Sequence, residues 1–363
     1  MMKKCCYLTI FVLLVHLELL AIEPVNATAK RVVVPQNPAD YLSLTYYLNK
    51  CPDAEGIIQQ KVGAWIQRDF TLAASLIRLH FHDCAVRGCD ASILLNYKGS
   101  QRSSYVSSTL RGFQVIDDIK AELEKRCPRT VSCSDILTAV ARDATVFTGG
   151  PFWEVPFGRK DGRISLAKEA EVVPQGHENV TALIEFFQTK GLNILDLVTL
   201  SGAHTIGRCT CGTILYRLYS FNGTKNPDPS LNTSYLNLLK KRCKRSTDLV
   251  YLDAITPETF DTVFYTNLQR KVGLLTTDQE LYSDQRTLPF VEAMASQPFL
   301  FQNQLIVSMT NLGNVQVLIG NEGEREIGRE RVFLGRDGRA SCKGKAKHRE
   351  AERRERKGQS IGF

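Results

Sequence analysis

Apolar residues recur along this chain at helical spacing far more often than they alternate. From Asp53 to Asp69, Ile57, Ile58, Val62, Trp65 and Ile66 line one face, and Cys51-Pro52 precedes them with proline at a tolerated first-turn position. From Gly112 to Arg126, Phe113, Ile116, Ile119 and Leu123 repeat the pattern. Ser132 or Ser134 can cap a further helix carrying Ile136, Leu137, Val140 and Ala144, which stops at Gly149-Gly150-Pro151. Asn179 to Lys190, followed by Gly191, reads as a helix with its C-terminal glycine. Asp196–Leu200, Pro229–Cys243, Glu258–Lys271 and two stretches between Thr287 and Asn311 also fit helices. Alternating strands are scarce and no internal repeat stands out, so the expectation is an all-α fold joined by Gly/Pro/Asp loops.

The chain has 363 residues and is 43% hydrophobic, enough for a large core in one domain or two lobes. Its formal net charge is +8, but residues 324–363 hold 13 Lys+Arg against 7 Asp+Glu, while residues 30–323 hold 31 against 29. The basicity belongs to the tail, and nucleic acid is not expected as a partner of the core. At the other end, Lys3-Lys4 precede an apolar stretch from Tyr7 to Ile22, and Ala27-Thr28-Ala29 offers a small-residue cleavage site. A membrane anchor is the rival reading; the stretch is short for a span and His16 and Glu18 interrupt it, which favours a removed leader. The organisation expected is a signal peptide at 1–29, a folded domain at 30–324 and a charged, apolar-poor, mobile tail at 325–363. Export makes the compartment oxidising. Of 11 cysteines, Cys5 and Cys6 leave with the leader; nine remain, of which eight would pair. Asn-x-Ser/Thr sites at Asn26, Asn179, Asn222 and Asn232 support secretion weakly.

Three constellations carry chemistry. In "LAASLIRLHFHDC", Leu72 to Cys84, a helix puts Arg78 and His82 at i and i+4 on one face with Phe81 beside them, and turns His80 to the far side as a packing histidine. A neutral imidazole beside a guanidinium suits a general base, and the guanidinium suits a developing negative charge. A buried Arg/His pair also occurs as plain hydrogen-bonded structure. In "DLVTLSGAHTIG", His204 ends an apolar helical segment behind Ser-Gly-Ala, small residues that admit a flat group; an axial ligand and an ordinary helix terminus both fit. His177 sits in a Pro-Gln-Gly loop and reads as solvated. In "DCAVRGCDAS", Asp83, Asp90 and Ser92 offer oxygens around a glycine turn, as a hard cation such as calcium needs. Zinc on His82, Cys84 and Cys89 is the alternative, and disulfide formation on export would remove its thiolates.

Together with "AASLIRLHFHDC", the segments "GCDASILL", "RGFQVID", "CPRTVSCSDIL", "GGPFWEVPFGRKDGR", "LVTLSGAHTIG", "FDTVFYTNL" and "TDQEL" follow one another in the order found in plant secretory (class III) haem peroxidases, which the chain resembles from about Leu42 to Glu324. The resemblance implies a haem peroxidase fold of two helical lobes, distal and proximal, around one haem b. His204 is then the proximal iron ligand and Asp278 the carboxylate that accepts its ring N–H. On the distal face His82 takes a proton from hydrogen peroxide and returns it to the departing oxygen, and Arg78 stabilises charge as the O–O bond breaks. Phe81 and Ser75 stand at cofactor-contact positions, and the Pro174 carbonyl contacts small phenolic or aromatic donors, oxidised one electron at a time. Two calcium sites are implied, one on Asp83, Val86, Gly88, Asp90 and Ser92, the other on Thr205, Asp253, Thr256, Thr259 and Asp261. The implied disulfides are Cys51–Cys127, Cys84–Cys89, Cys211–Cys243 and Cys133 with a C-terminal cysteine, Cys342, which leaves Cys209 unpaired. A secreted monomer without a membrane span follows, in the wall or outside the cell, with the vacuole as an alternative.

The chain departs from the family in three places. Val106 stands where an asparagine commonly orients the distal histidine, and it offers no side-chain acceptor. Gln101 replaces the glutamate that supports the distal calcium through water. Cys342 comes much later than the family's last cysteine, inside the charged tail. These departures keep a slow or inactive relative in view, and a haem-free secreted calcium- or zinc-binding glycoprotein is the reading from a different class.

Overall fold

The computed structural model describes residues 41–323 and 341–342. The expected leader lies outside them, as does the charged tail apart from two residues. Twelve α-helices run through the described residues: α1 (Ala54–Arg68), α2 (Leu72–Arg87), α3 (Phe113–Arg126), α4 (Cys133–Phe147), α5 (Val180–Thr189), α6 (Ile194–Ser201), α7 (Leu215–Tyr219), α8 (Thr233–Arg242), α9 (Val263–Gln269), α10 (Thr276–Ser283), α11 (Leu288–Ser296) and α12 (Pro298–Gly313). A single antiparallel pair, β1 (Arg208–Thr210) and β2 (Leu249–Tyr251), sets Cys209 opposite Val250.

The main core is built on α4. Residues Cys133 to Thr145 of that helix are all buried, and the Ser132 side chain caps it by accepting the Asp135 N–H. Helices α1 and α2 pack on α4, and α3 closes over α1. Inside this core Asp135 accepts hydrogen bonds from the Tyr47 hydroxyl (2.6 Å), the Gly158 N–H (2.9 Å) and the Arg159 guanidinium (3.0 Å). Arg159 also reaches the Gly313 carbonyl at 2.7 Å, so one buried ion pair ties the N-terminal turn, α4 and the end of α12. A buried charge tolerates this position because every donor has a partner. A smaller core gathers Ile214, Leu218, Leu231, Tyr235, Leu239 and Val250 around the Cys211–Cys243 disulfide. The Arg217–Asp228 pair (2.7 Å) locks it.

Four disulfides close: Cys51–Cys127, Cys84–Cys89, Cys133–Cys342 and Cys211–Cys243; Cys209 is a free thiol. The two described tail residues are packed. Cys342 is 4% exposed, and the Ser341 hydroxyl donates to Asp117 at 2.7 Å.

Where helix bounds differ from the apolar pattern, side chains explain it. The Asn232 side chain accepts the N–H groups of Ser234 and Tyr235, so α8 starts at Thr233 and not at Pro229. Asp261 accepts the Val263 N–H at 2.8 Å and holds the preceding residues in an irregular loop, so α9 starts late. Helix α10 has a mostly polar sequence and shows no stripe to read.

Gly202 lies two residues before His204, where a Cβ would fall on the Tyr265 hydroxyl and within 2.7 Å of the Phe301 ring, both fully buried. Gly202→Ala is expected to cost about 1–3 kcal/mol through overpacking. Gly56, in α1, has nothing within 4 Å of that position, so Gly56→Ala should be neutral or add up to about 1 kcal/mol. Denaturant unfolding of the two variants checks the contrast; equal effects would contradict it.

Candidate active site

Helix α2 is buried on almost every side, Leu72, Ala73, Leu76, Ile77, Leu79, His80, His82, Asp83, Cys84 and Ala85 included, which is why no apolar stripe marks it. His80 is 1% exposed and packs against the Cys84–Cys89 disulfide, with Cys84 Sγ 3.7 Å from its Nδ1. The zinc reading fails here, because both sulfurs are bonded to one another.

One turn apart on α2, Arg78 and His82 face the same way. His82 is 4% exposed, and burial first, then the charge of Arg78, pushes its proton affinity down to about 3. It is therefore neutral across the physiological range. Phe81 meets it edge-on, with centroids 6.1 Å apart. Among the described residues neither ring nitrogen of His82 has a hydrogen-bond partner. Arg78 donates to the Thr109 hydroxyl at 2.9 Å. Val106, three residues earlier, packs with Ala85 and Val173 against Phe81.

The second histidine comes from a different element. Helix α6 begins with a capping box between Asn193 and Asp196, ends at Ser201, and passes into a 3-10 turn, Gly202–Thr205, that presents His204. Its Nδ1 lies 2.8 Å from Asp278 Oδ1, and the other carboxylate oxygen accepts the Leu275 N–H at 3.2 Å. Burial lowers the proton affinity of His204, but the charge and hydrogen bond of Asp278 outweigh it and the net shift is upward, against a smaller opposing effect of Arg78. Arg78 acts electrostatically on both His204 and Cys209. The His204 side chain is 38% exposed. With Nδ1 committed to Asp278, Nε2 is the nitrogen left for a ligand.

Residues 58–297 match the family described as Peroxidase. Peroxidase 7 of Arabidopsis thaliana is 53% identical over 287 residues, covering 79% of this chain and 82% of that one. Peroxidase 1 and Peroxidase 72 of the same plant are 42% and 40% identical, covering 81% and 86% of this chain and 91% and 95% of theirs. This chain belongs to the plant secretory haem peroxidase family. It is a haem-dependent enzyme that reduces hydrogen peroxide at the expense of an electron donor.

Two oxygen clusters flank the histidines of the peroxidase. Asp83, fully buried, accepts the N–H groups of Ala91 (2.8 Å) and Ile93 (3.3 Å), and Asp90 accepts that of Ser92 (2.9 Å). Burial, with Asp90 adding to it, holds the Asp83 carboxyl well above the ordinary range, and burial lifts Asp90 to about 6. Gln101 Nε2 donates to Ser92 Oγ at 3.0 Å, while its Oε1 is buried with no protein partner. The Val86 carbonyl accepts from Lys190 Nζ at 3.0 Å, and Gly88 takes φ +89° where a Cβ would strike the Gln316 backbone. On the His204 side, Thr205 Oγ1 lies 3.1 Å from Asp261 Oδ1, 3.5 Å from Asp253 Oδ2 and 3.5 Å from the Thr259 carbonyl, and Thr256 Oγ1 is 3.1 Å from Asp261. Asp83 and Asp90 are buried carboxylates that repel one another, a crowding that a hard cation relieves.

Ser75 spends its hydroxyl on the Thr71 carbonyl (3.0 Å). Pro174 is half-buried on the loop between Val173 and Asn179, and the His177 side chain is 59% exposed. Thr109, the partner of Arg78, escaped the sequence reading because a lone threonine in a loop carries no pattern; its place two residues before the "RGF" arginine is the only signal it gave.

In the haem-free protein the His204–Asp278 pair adds stability that is fully present below pH 6.5, the ordinary histidine value, and is lost as pH rises through the higher folded value. Asp278→Asn removes the anion and leaves burial and Arg78 acting alone. His204 should then titrate below 6.5, and an NMR titration of its ring reads the change. A titration indistinguishable from the parent would refute the pairing.

Proposed function

We propose that this peroxidase binds one haem b and two calcium ions, and oxidises small phenolic or aromatic donors in one-electron steps. The observation that carries the reading is the His204–Asp278 pair, which engages Nδ1 and leaves Nε2 without a partner among the described residues, with Arg78 acting on the same ring. His204 would hold the haem iron, Phe81 and Ser75 would stand at its faces and rim, and the bound haem would supply the centre at which peroxide is cleaved and its oxidising power kept. Asp278 draws on the His204 N–H and makes the ring a stronger donor. His82, neutral because buried and beside a cation, takes a proton from peroxide and returns it to the departing oxygen. Arg78 stabilises the charge on that oxygen. Pro174 would meet the donor through its carbonyl.

Asp83, Asp90 and Ser92, with the carbonyls of Val86 and Gly88, would hold one calcium; Thr205, Asp253, Thr256, Thr259 and Asp261 would hold the other. The geometry around Asp83 and around Thr205 supports both sets. Export rests on the N-terminal pattern, which falls outside the described residues, and on four disulfides that suit an oxidising compartment. No described helix is long and apolar enough to cross a membrane. The secreted product would be a monomer of the wall or extracellular space, with glycans at Asn179, Asn222 and Asn232, each outside a helix interior. A haem-free binding glycoprotein leaves the shared orientation of Asp278 and His204 unexplained.

Full-length protein loaded with haem should show a Soret band and turn over a phenolic dye with peroxide, and His204→Ala should lose both. Pigment and turnover surviving in that variant would sink the assignment. Val106→Asn supplies the acceptor that His82 lacks and should speed the peroxide reaction up to roughly tenfold in stopped-flow, a fraction of what general acid–base groups contribute. Chelating calcium should shift the haem spectrum and lower the melting temperature together, because Asp83 and Thr205 each adjoin a candidate haem-face histidine in sequence. Gln101→Glu should make the protein harder to strip of calcium.

A further inference from the structure

The loop that carries Pro174 is held by a carboxylate from its own far end. Glu178 Oε1 accepts the N–H of Gln175 at 2.8 Å, and Oε2 accepts those of Gly176 and His177, both at 3.0 Å. Three successive amides on one anion form a nest, with every bond charge-assisted. The His177 ring takes no part in the clamp: its Nε2 is 3.9 Å from Glu178 Oε1, beyond hydrogen-bonding distance. Gly176, at the centre, takes φ +100° and lies against the Leu275 side chain.

The Gly176 carbonyl turns away from the nest and accepts the N–H of Thr276 at 3.1 Å and of Thr277 at 3.3 Å. These are the first two amides of α10, whose N-cap, Leu275, has no side-chain cap of its own. A helix start must satisfy its free amides somewhere, and here another loop does it. The Tyr216 hydroxyl braces the same junction through Thr276 Oγ1 at 2.5 Å. Asp278 is the third residue of α10, and it holds His204. Hydrogen bonds therefore lead from Glu178 through Gly176 to the first turn of α10, and the backbone of that turn carries Asp278, which holds the imidazole.

We infer that Glu178 is a positioning residue which locks the Pro174 loop and the first turn of α10 into one unit, so that a single carboxylate sets both the surface a donor meets and the anion behind His204. The inference rests on the proposed roles of Pro174 and His204. Glu178→Gln keeps size and shape but turns an NH2 group toward amides that need an acceptor, so it opens the nest without emptying the space.

Hydrogen exchange read by mass spectrometry on the haem-loaded holoenzyme tests it. In Glu178→Gln and Glu178→Ala the segments 174–178 and 275–279 should both exchange roughly tenfold faster or more, the expected effect of losing the charge-assisted bonds that hold the loop against the start of α10. Exchange in α4 should not change, which shows that the variants are folded. The donor KM should rise several-fold while the rate of reaction with peroxide holds, and the iron–histidine stretching band of the ferrous protein should move. Faster exchange confined to 174–178, or no change in either segment, overturns the lock. Both segments loosening with the donor KM unchanged would support the lock and instead remove Pro174 from donor binding. A fixed stretching band under the same loosening would detach His204 from it and overturn that half.

Discussion

A 2.8 Å contact between His204 Nδ1 and Asp278 Oδ1 is the constraint around which this molecule is organised. Asp278 is 1% exposed, and an ionised carboxylate survives at that depth only with each oxygen engaged. One oxygen takes the imidazole and the other the Leu275 amide, so the start of α10 and the turn after α6 have to meet at one point. That fixes the His204 ring, commits its tautomer and leaves Nε2 without a partner among the described residues. His82, at 4% exposed, shifts the opposite way. Desolvation acts on both rings in the same direction: for His82 burial does most of the lowering and the guanidinium adds to it, whereas for His204 a carboxylate outweighs burial and holds the proton. One chain thus holds two similar side chains at opposite proton affinities, one with a carboxylate partner and one without.

The same reasoning applies where anions outnumber donors. Asp83, Asp90 and Asp161 are all buried, and burial raises all three. Asp161 eases its position by accepting the Cys133 and Ser134 amides at the start of α4, at 3.0 and 2.9 Å. Asp90 is pressed against Gly162, where a Cβ would fall on its carboxylate. A fold that crowds acids at the end of α2, a few residues past His82, is stable only if something positive or protonated answers them. Buried acids therefore gather at the C-terminal end of α2, where Asp83 is the residue after His82.

Much of this was legible in the sequence, for identifiable reasons. Helices α1, α3 and α5 each show one apolar face because each packs on one side, while α4 is buried nearly all round and its apolar positions still recur at helical spacing. Helix α2 hides its helicity by being buried all round, yet the i, i+4 placement of Arg78 and His82 still exposed the chemistry. The partnership of His204 with Asp278 spans 74 residues, and no local pattern announces it; only the likeness of "SGAHTIG" and "TDQEL" to a known family linked them. Thr109 and Glu178 were missed because a loop hydroxyl holding a guanidinium, and a carboxylate folded back on its own backbone, leave no periodic trace. The tail was read as unpacked from its composition, but a disulfide needs only one cysteine and a small neighbour to bury, and Ser341–Cys342 supply that within a charged sequence.

The distal pocket departs from its family at the loop that Val106 and Thr109 share, and the two residues divide one task. Where an asparagine would receive a hydrogen bond from the base, Val106 contributes only to an apolar cluster with Ala85, Val173 and Phe81. Three residues later Thr109 offers a hydroxyl, and Arg78 takes it. The guanidinium is thus aimed by a hydrogen bond, while the imidazole is aimed by packing, with the Phe81 edge and the helix backbone setting its plane. Packing fixes position well but leaves rotation about the last torsion broad, since that torsion has no sharp minimum. In the base role proposed for it, an imidazole held this way would be neutral without being aimed by a hydrogen bond, so its orientation is less tightly set than its proton affinity.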